Sequence, residues 1–245
     1  MNILLTNDDG IFSEGLLALA NVLIKNNNKV YVYAPDGNRS GASRSASFYK
    51  EFTVNPAKVG ELDGFAFSGT PADCVRFGLK FAPVKIDLIC SGINHGANLG
   101  SDVLYSGTVN ACLEGVSEKI PSIAFSNVAH FNHKFDETQK IIDKYYKHFI
   151  ALASPDYTLN VNIPNVNCGE EAGVVFTGLG VNRYSDTYIK TAENAYKLIG
   201  DMLEPSETDK FTDVYYAALN YVTLSPIVHI STTPELVNKY KDYKF

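Results

Sequence analysis

Tryptophan is absent from this 245-residue chain, methionine occurs twice, and only four cysteines are present. Cys74, Cys90, Cys112 and Cys168 form no CxxC pair and no zinc spacing, and three of them sit inside apolar runs. They read as small core residues in a reducing compartment, which excludes a disulfide-stapled secreted domain. Basic charge is also short, with 21 Lys and Arg against 27 Asp and Glu and a formal net charge of −6. Duplex nucleic acid draws most of its affinity from phosphate neutralisation, so such a partner is not expected. No apolar run approaches a membrane-spanning length, and the opening MNILLTNDDG has neither a basic leader nor an apolar core. The expectation is a cytoplasmic protein without a membrane partner.

What is present is an ordinary globular composition, 45% hydrophobic and 20% charged. Apolar periodicity alternates between the two regular periods. Residues 3–5 form a short strand ending in the turn Asn7-Asp8-Asp9-Gly10, and Leu16, Leu19, Leu23 and Ile24 recur at helical spacing. Residues 29–34 read as a second strand. Pro71 opens a helix, residues 86–90 are a strand, and Val109, Cys112, Leu113 and Val116 mark another helix. Residues 121–125 and the stripe Ile141, Ile142, Tyr145, Tyr146, Phe149 and Ile150 continue the alternation. This order predicts an α/β fold, a Rossmann-like, doubly wound, mostly parallel sheet. Beyond about residue 174 the alternation fails. A strand is expected over 214–224, a helix over 232–243 capped by Thr233, and an arm or hairpin across the polar, tyrosine-rich stretch between 182 and 213. The expected organisation is one domain over 1–245, with a core of about 1–180 and a C-terminal arm extension from about 181.

Ligands of open α/β sheets bind beyond the carboxyl ends of the strands, and three polar loops leave such ends. The first carries Asp8 and Asp9, adjacent carboxylates that repel unless a cation or protons compensate them. Oxygen donors of this type suit Mg²⁺, Mn²⁺ or Ca²⁺, although Asn-Asp-Asp-Gly is also ordinary turn chemistry with Asp9 as a helix cap. The second loop, Asn38-Arg39-Ser40-Gly41-Ala42-Ser43-Arg44, offers the Ser40 hydroxyl, with Arg39 and Arg44 as phosphate-neutralising groups. The third, residues 91–107, is rich in glycine and asparagine, and Asn94 can give a cation a neutral oxygen. His95 can act as acid or base or be incidental. The loop ends in Ser106-Gly107-Thr108 at a helix N-terminus, a natural anion site. Walker A and GxSxG patterns are missing, and Gly178-Leu179-Gly180 lacks the third glycine of a dinucleotide fingerprint.

In family order, ILLTNDDG (3–10), APDGNRSGAS (34–43), GTPADCV (69–75), SGINHGANLGSDVLYSGTVNACLEG (91–115) and, more weakly, TDVYYAALNYVTLSPI (212–227) resemble the SurE (survival protein E) family of metal-dependent nucleotidases. The resemblance implies a Rossmann-like core with a C-terminal arm that makes homodimers or homotetramers. It also implies hydrolysis of nucleoside 5′- and 3′-monophosphates with one divalent cation per subunit, Mg or Mn. Its metal ligands fall on Asp8, Asp9, Ser40 and Asn94, with Asp8 and Asp9 also catalytic. Its phosphate contacts fall on Asn98, Ser106, Gly107 and Thr108. Two readings remain beside this one. One is a phosphatase for polyphosphate or another small phosphomonoester at the same site; the other is a nucleotide-binding module without turnover. The chain departs from the usual pattern at Ser13-Glu14-Gly15, where an Ala-Pro-Gly run is common, and at Asn220, where glycine is usual.

Overall fold

The computed structural model describes residues 1–129, 131–201, 203, 210–228 and 238. The elements run β1 (Asn2–Thr6), α1 (Glu14–Lys25), β2 (Lys29–Pro35), β3 (Val54–Val59), β4 (Leu62–Phe67), α2 (Pro71–Phe81) and β5 (Leu88–His95). A 3-10 helix (Gly100–Leu104) precedes α3 (Gly107–Ser117), β6 (Ser122–Val128), α4 (Phe135–Leu152), β7 (Thr158–Pro164) and β8 (Gly173–Phe176). The hairpin strands β9 (Thr187–Ala192) and β10 (Ala195–Ile199), then α5 (Asp213–Ala218) and β11 (Tyr221–Ile227), complete the described chain. The helix expected over 232–243 lies outside the described residues, apart from Asn238.

Nine strands form one sheet in the order β3-β4-β2-β1-β5-β6-β7-β11-β8. The β1–β2, β1–β5, β2–β4, β5–β6, β6–β7 and β11–β8 pairings are parallel; β3–β4 and β11–β7 are antiparallel. The expected α/β, mostly parallel, doubly wound architecture is therefore present. Period-2 alternation separates its two faces. Ile3 and Leu5 pack with Leu16, Leu19 and Leu23 of α1 and Ile141, Ile142 and Phe149 of α4. Leu4 and Ile89 point the other way, onto Cys74 and Val75 of α2 and Val109 and Cys112 of α3. Each fully buried leucine or isoleucine in these layers contributes about 1.5–3 kcal/mol. Cys74, Cys90 and Cys112 are buried free thiols, as their apolar neighbours imply.

From β1 the chain steps to β2 in one direction and to β5 in the other, so the order reverses between β1 and β5. That reversal leaves a crevice where the loops after β1 and β5 part, the usual ligand position in such sheets.

The expected strand over 214–224 is corrected. Residues 213–218 form α5, and the strand begins only at Tyr221. Thr212 caps this helix by accepting from the Tyr215 N–H, and a short cap-led helix outweighs the β propensity of Val214, Tyr215 and Tyr216. Asn220 then takes a φ of 61°, a left-handed turn that asparagine tolerates, so the usual glycine is not required there. The polar stretch contains the hairpin of β9 and β10, which forms its own two-stranded sheet with every β9 residue exposed.

Candidate functional site

The β1 turn is built before it binds anything. Asn7 Nδ2 donates to the Gly10 carbonyl (2.9 Å) and to Ser13 Oγ (2.7 Å), and its Oδ1 accepts from the Gly10 N–H. Ser13 in turn caps α1 by accepting from the Leu16 N–H. A Cβ on Gly15 would lie 2.0 Å from the Ile93 carbonyl oxygen, so glycine there lets α1 approach β5. The Ser13-Glu14-Gly15 departure thus supplies a working helix entry of its own.

Asp8 is 3% exposed and clamped. Its Oδ2 accepts from the Gly107 N–H (3.0 Å) and its Oδ1 from the Thr108 hydroxyl (2.5 Å), both at the N-terminus of α3. A Cβ on Gly107 would sit 2.7 Å from Asp8 Cβ and Oδ2, so only glycine lets the helix end come this close. The Asp8 carbonyl accepts from the Arg39 N–H at 2.6 Å, which ties in the second loop. Asp9 faces the third loop. Its Oδ2 accepts from the His95 N–H at 3.1 Å, and His95 Nδ1 stands 3.9 Å from its Oδ1. Burial pushes the Asp8 carboxyl above the ordinary range against the pull of Thr108 and Gly107. Burial and then the charge of Asp8 push Asp9 up to about 7. Two buried, mutually repelling carboxylates with no guanidinium or ammonium within ion-pair distance among the described residues are an arrangement that a cation relieves.

Asn94 lies in β5 just after a register shift between Ser91 and Asn94, and its Nδ2 donates to the Gly96 carbonyl (2.8 Å). Ser40 is exposed on a turn closed by its own N–H to Asn38 Oδ1 (2.8 Å). Two carboxylates and no sulfur ligand make a donor chemistry that suits a hard, oxygen-seeking cation rather than zinc. Among the described residues no group of three or more His, Cys, Asp or Glu is gathered for a metal.

The proposed phosphate positions are differently engaged. Ser106 caps α3 by accepting from the Val109 N–H, and the Thr108 hydroxyl is held by Asp8. Asn98 is buried. Its N–H donates to Asn162 Oδ1 (2.8 Å), its Nδ2 donates to Ser126 Oγ (2.8 Å), and its carbonyl accepts from both Asn160 and Asn162. Its backbone is held by Asn160 and Asn162 of β7 and its side chain by Ser126 of β6. The two arginines read from the sequence as phosphate groups have other partners. Arg39 pairs with Asp36 (2.7 Å) and donates to the Gly69 carbonyl, while Arg44 shares the buried Glu114 with Arg76 and donates to Ser117. Charge compensation of Asp36 and Glu114 holds both guanidiniums; the first pair is three residues apart along the chain, the second seventy.

His95, open between an acid–base role and an incidental one in the sequence, lies against Asp9. Its ring packs on Phe135 (4.8 Å between centroids) and on His133 (5.1 Å), and burial lowers its pKa. The signal in the sequence was weak, because His133 and Phe135 stand far from residue 95 along the chain. A cavity of about 510 Å³ opens beyond this aromatic group, between the N-terminal halves of α1 and α4, with Glu14 and Leu17 on one wall and His133 and Phe135 on the other. Neither carboxylate of the Asp8–Asp9 pair lines it.

Comparison with known proteins places this geometry. The family model "Survival protein SurE" matches residues 3–186. This chain belongs to the SurE family. It is 38% identical over 251 residues to the 5′-nucleotidase SurE of Kosmotoga olearia, covering 99% of this chain and 98% of that protein. It is 36% identical over 266 residues to the 5′-nucleotidase SurE of a Nostoc species, covering 100% and 99%. The crystal structure of the SurE protein from Aquifex aeolicus superposes with a TM-score of 0.84 at 34% identity, covering 98% of each chain. Among the described residues no helix is long and apolar enough to cross a membrane.

Proposed function

We propose that this SurE family member is a divalent-cation-dependent phosphomonoesterase that hydrolyses nucleoside 5′- and 3′-monophosphates to nucleoside and phosphate in the cytoplasm. The observation that carries this reading is the buried Asp8–Asp9 pair set against the N-terminus of α3. The proposed organisation is a single domain whose C-terminal arm joins subunits into a homodimer or homotetramer.

Uncatalysed phosphomonoester hydrolysis is among the slowest reactions, so the site must supply a large charge stabilisation. Asp8, Asp9, Ser40 and Asn94 would hold one Mg²⁺ or Mn²⁺, which would supply Lewis acidity toward the phosphoryl oxygens and lower the pKa of water. The residues divide the remaining work. Both oxygens of Asp8 already accept hydrogen bonds, so Asp8 is a fixed negative point rather than a proton acceptor. Asp9 has one backbone donor, on Oδ2, and its Oδ1 is the oxygen placed to orient the attacking water and take its proton. The first donors of α3 are taken by Asp8 and the Ser106 cap, so the helix end acts on the phosphoryl group through its positive dipole, beside Asn98. With Arg39 and Arg44 engaged by Asp36 and Glu114, the helix end and the cation carry the charge compensation.

Phosphate release from a panel of mononucleotides, with Mn²⁺ and with chelator, tests the reading. Release from adenosine 5′-monophosphate that stops on chelation supports it. Turnover of polyphosphate alone, or nucleotide binding without release, overturns it.

A further inference from the structure

The 212–227 segment carries a family-like motif that the carboxylate site does not use, and Asp213 stands at its head. Its side chain is fully buried. Asp213 Oδ2 accepts from the Gly100 N–H (2.8 Å), and Oδ1 accepts from the N–H groups of Gly180 (2.7 Å) and Val214 (2.8 Å). One carboxylate thus joins three segments that are distant in sequence: the loop after β5, the chain leading into the arm, and α5. The approach is close. A Cβ on Gly100, where φ is +50°, would lie 2.9 Å from the Gly180 carbonyl oxygen. The same loop is gripped from outside as well. Asn182 Nδ2 donates to the Leu99 carbonyl (2.8 Å) and to Asp102 Oδ2 (2.7 Å), and the Tyr184 hydroxyl donates to the same Asp102 oxygen. Between Asn98 and Ser106 the chain is a 3-10 turn, held by these contacts, by Ser43 on the Leu104 and Tyr105 carbonyls, by Asn110 on the Val103 carbonyl (2.9 Å), and by the packing of Leu99 on Val214 and Ala217.

We infer that Asp213 is a positioning residue for the reaction, fixing the backbone between Asn98 and Ser106 so that the phosphate loop is presented in one geometry. The inference rests on the proposed phosphomonoesterase activity for its kinetic consequence but not for its structural one. A buried carboxylate gathering three backbone N–H groups is a strong, charge-assisted anchor, and an amide of the same shape turns one N–H₂ against those donors. Loosening by about 1 Å at the loop costs a phosphoryl-transfer site about 100-fold. The carboxylate pair is spared, because α3 is held by its own core contacts and keeps Gly107 and Thr108 on Asp8.

The test is Asp213→Asn in the full chain loaded with Mn²⁺, read three ways: Mn²⁺ affinity by titration, kcat and KM for adenosine 5′-monophosphate, and amide hydrogen exchange over residues 99–106. The expected result is unchanged Mn²⁺ affinity, faster exchange in that loop, and a kcat/KM lower by about 100-fold. Exchange or kcat/KM at the wild-type level overturns the inference, as does a loss of activity that merely tracks a loss of Mn²⁺ binding. If Asp213→Asn does not fold, the double variant Asn182→Ala/Tyr184→Phe loosens the same loop from its surface side and is judged by the same three readings. A wild-type protein that releases no phosphate from any mononucleotide overturns the proposed activity instead, and loop exchange alone then decides the role of Asp213.

Discussion

The rim of the sheet around Asp8 and the hairpin of β9 and β10 are both polar, yet they are stabilised in opposite ways. At the rim nearly every polar group has a partner within the chain: Asn7 closes its turn, Thr108 and Gly107 hold Asp8, and Asn160 and Asn162 bracket the Asn98 carbonyl. The hairpin has its ladder and little else, and Tyr188, Ile189, Tyr196, Leu198 and Ile199 face solvent. A two-stranded ribbon exposing large apolar groups is not a self-sufficient element, and this is what supports the proposed assembling arm. Polar sequence alone therefore says little; what matters is whether the fold returns other segments to satisfy it.

The sharpest way to break the comparison is at Asp8. Asp8→Asn is expected to lower kcat by about 1,000-fold with the fold intact, since it removes half the carboxylate charge and opposes the Gly107 donor. Asp9→Asn should act on a similar scale. Circular dichroism with phosphate release checks both, and near wild-type turnover at saturating Mn²⁺ would remove these residues from the site. Next comes Gly107→Ala, whose methyl collides with Asp8; a loss of about 100-fold is expected, with a lowered melting temperature because α3 must shift. Replacing residues 187–199 by a short turn addresses the other side of the comparison. It leaves Asn182, Tyr184 and Asp213 in place, so assembly should be lost while metal binding is kept. Light scattering reads the mass, and an intact protein already monomeric at micromolar concentration would sink the idea of an assembling arm.

The legible parts of the molecule were those with one strong local period. Residues 3–5, 29–34 and the stripe of α4 gave the layers, and NDDG and the 91–108 loop marked the rim. The hairpin β3–β4 was missed because Asn55, Pro56 and Lys58 give it a polar, broken outer face. β7 was missed because Thr158, Asn160 and Asn162 alternate with Leu159, Val161 and Ile163, and buried asparagines do not look like a core strand. The same asparagines anchor Asn98, so the missed strand is also the missed half of the phosphate loop. The surroundings of His95 and Arg44 depend on partners tens of residues away, which no local pattern reports, whereas Arg39 meets Asp36 only three residues back.

The smallest effect concerns pH. Asp9 titrates near 7 when no cation is bound, above the value of an unfolded carboxylate, so the folded chain holds more protons than the unfolded one between about 4 and 7. Stability contributed there is present at low pH and lost as pH rises through 7. Chelated protein should accordingly melt a few degrees lower at pH 7.5 than at pH 5.5 through this residue, and added Mn²⁺ should raise the melting temperature more at the higher pH. Equal Mn²⁺ shifts at both pH values would show that the pair does not receive the cation as carboxylates.

The meeting of three segments on Asp213 also couples the loop to the far side of the sheet. The carboxylate that accepts from Gly100 begins the helix that leads into β11, and β11 is seated between β7 and β8. Motion of the loop and seating of that strand are therefore expected to rise and fall together. In Asp213→Asn, amide exchange should quicken over 221–227 as well as over 99–106; a change confined to the loop would show that the two are independent.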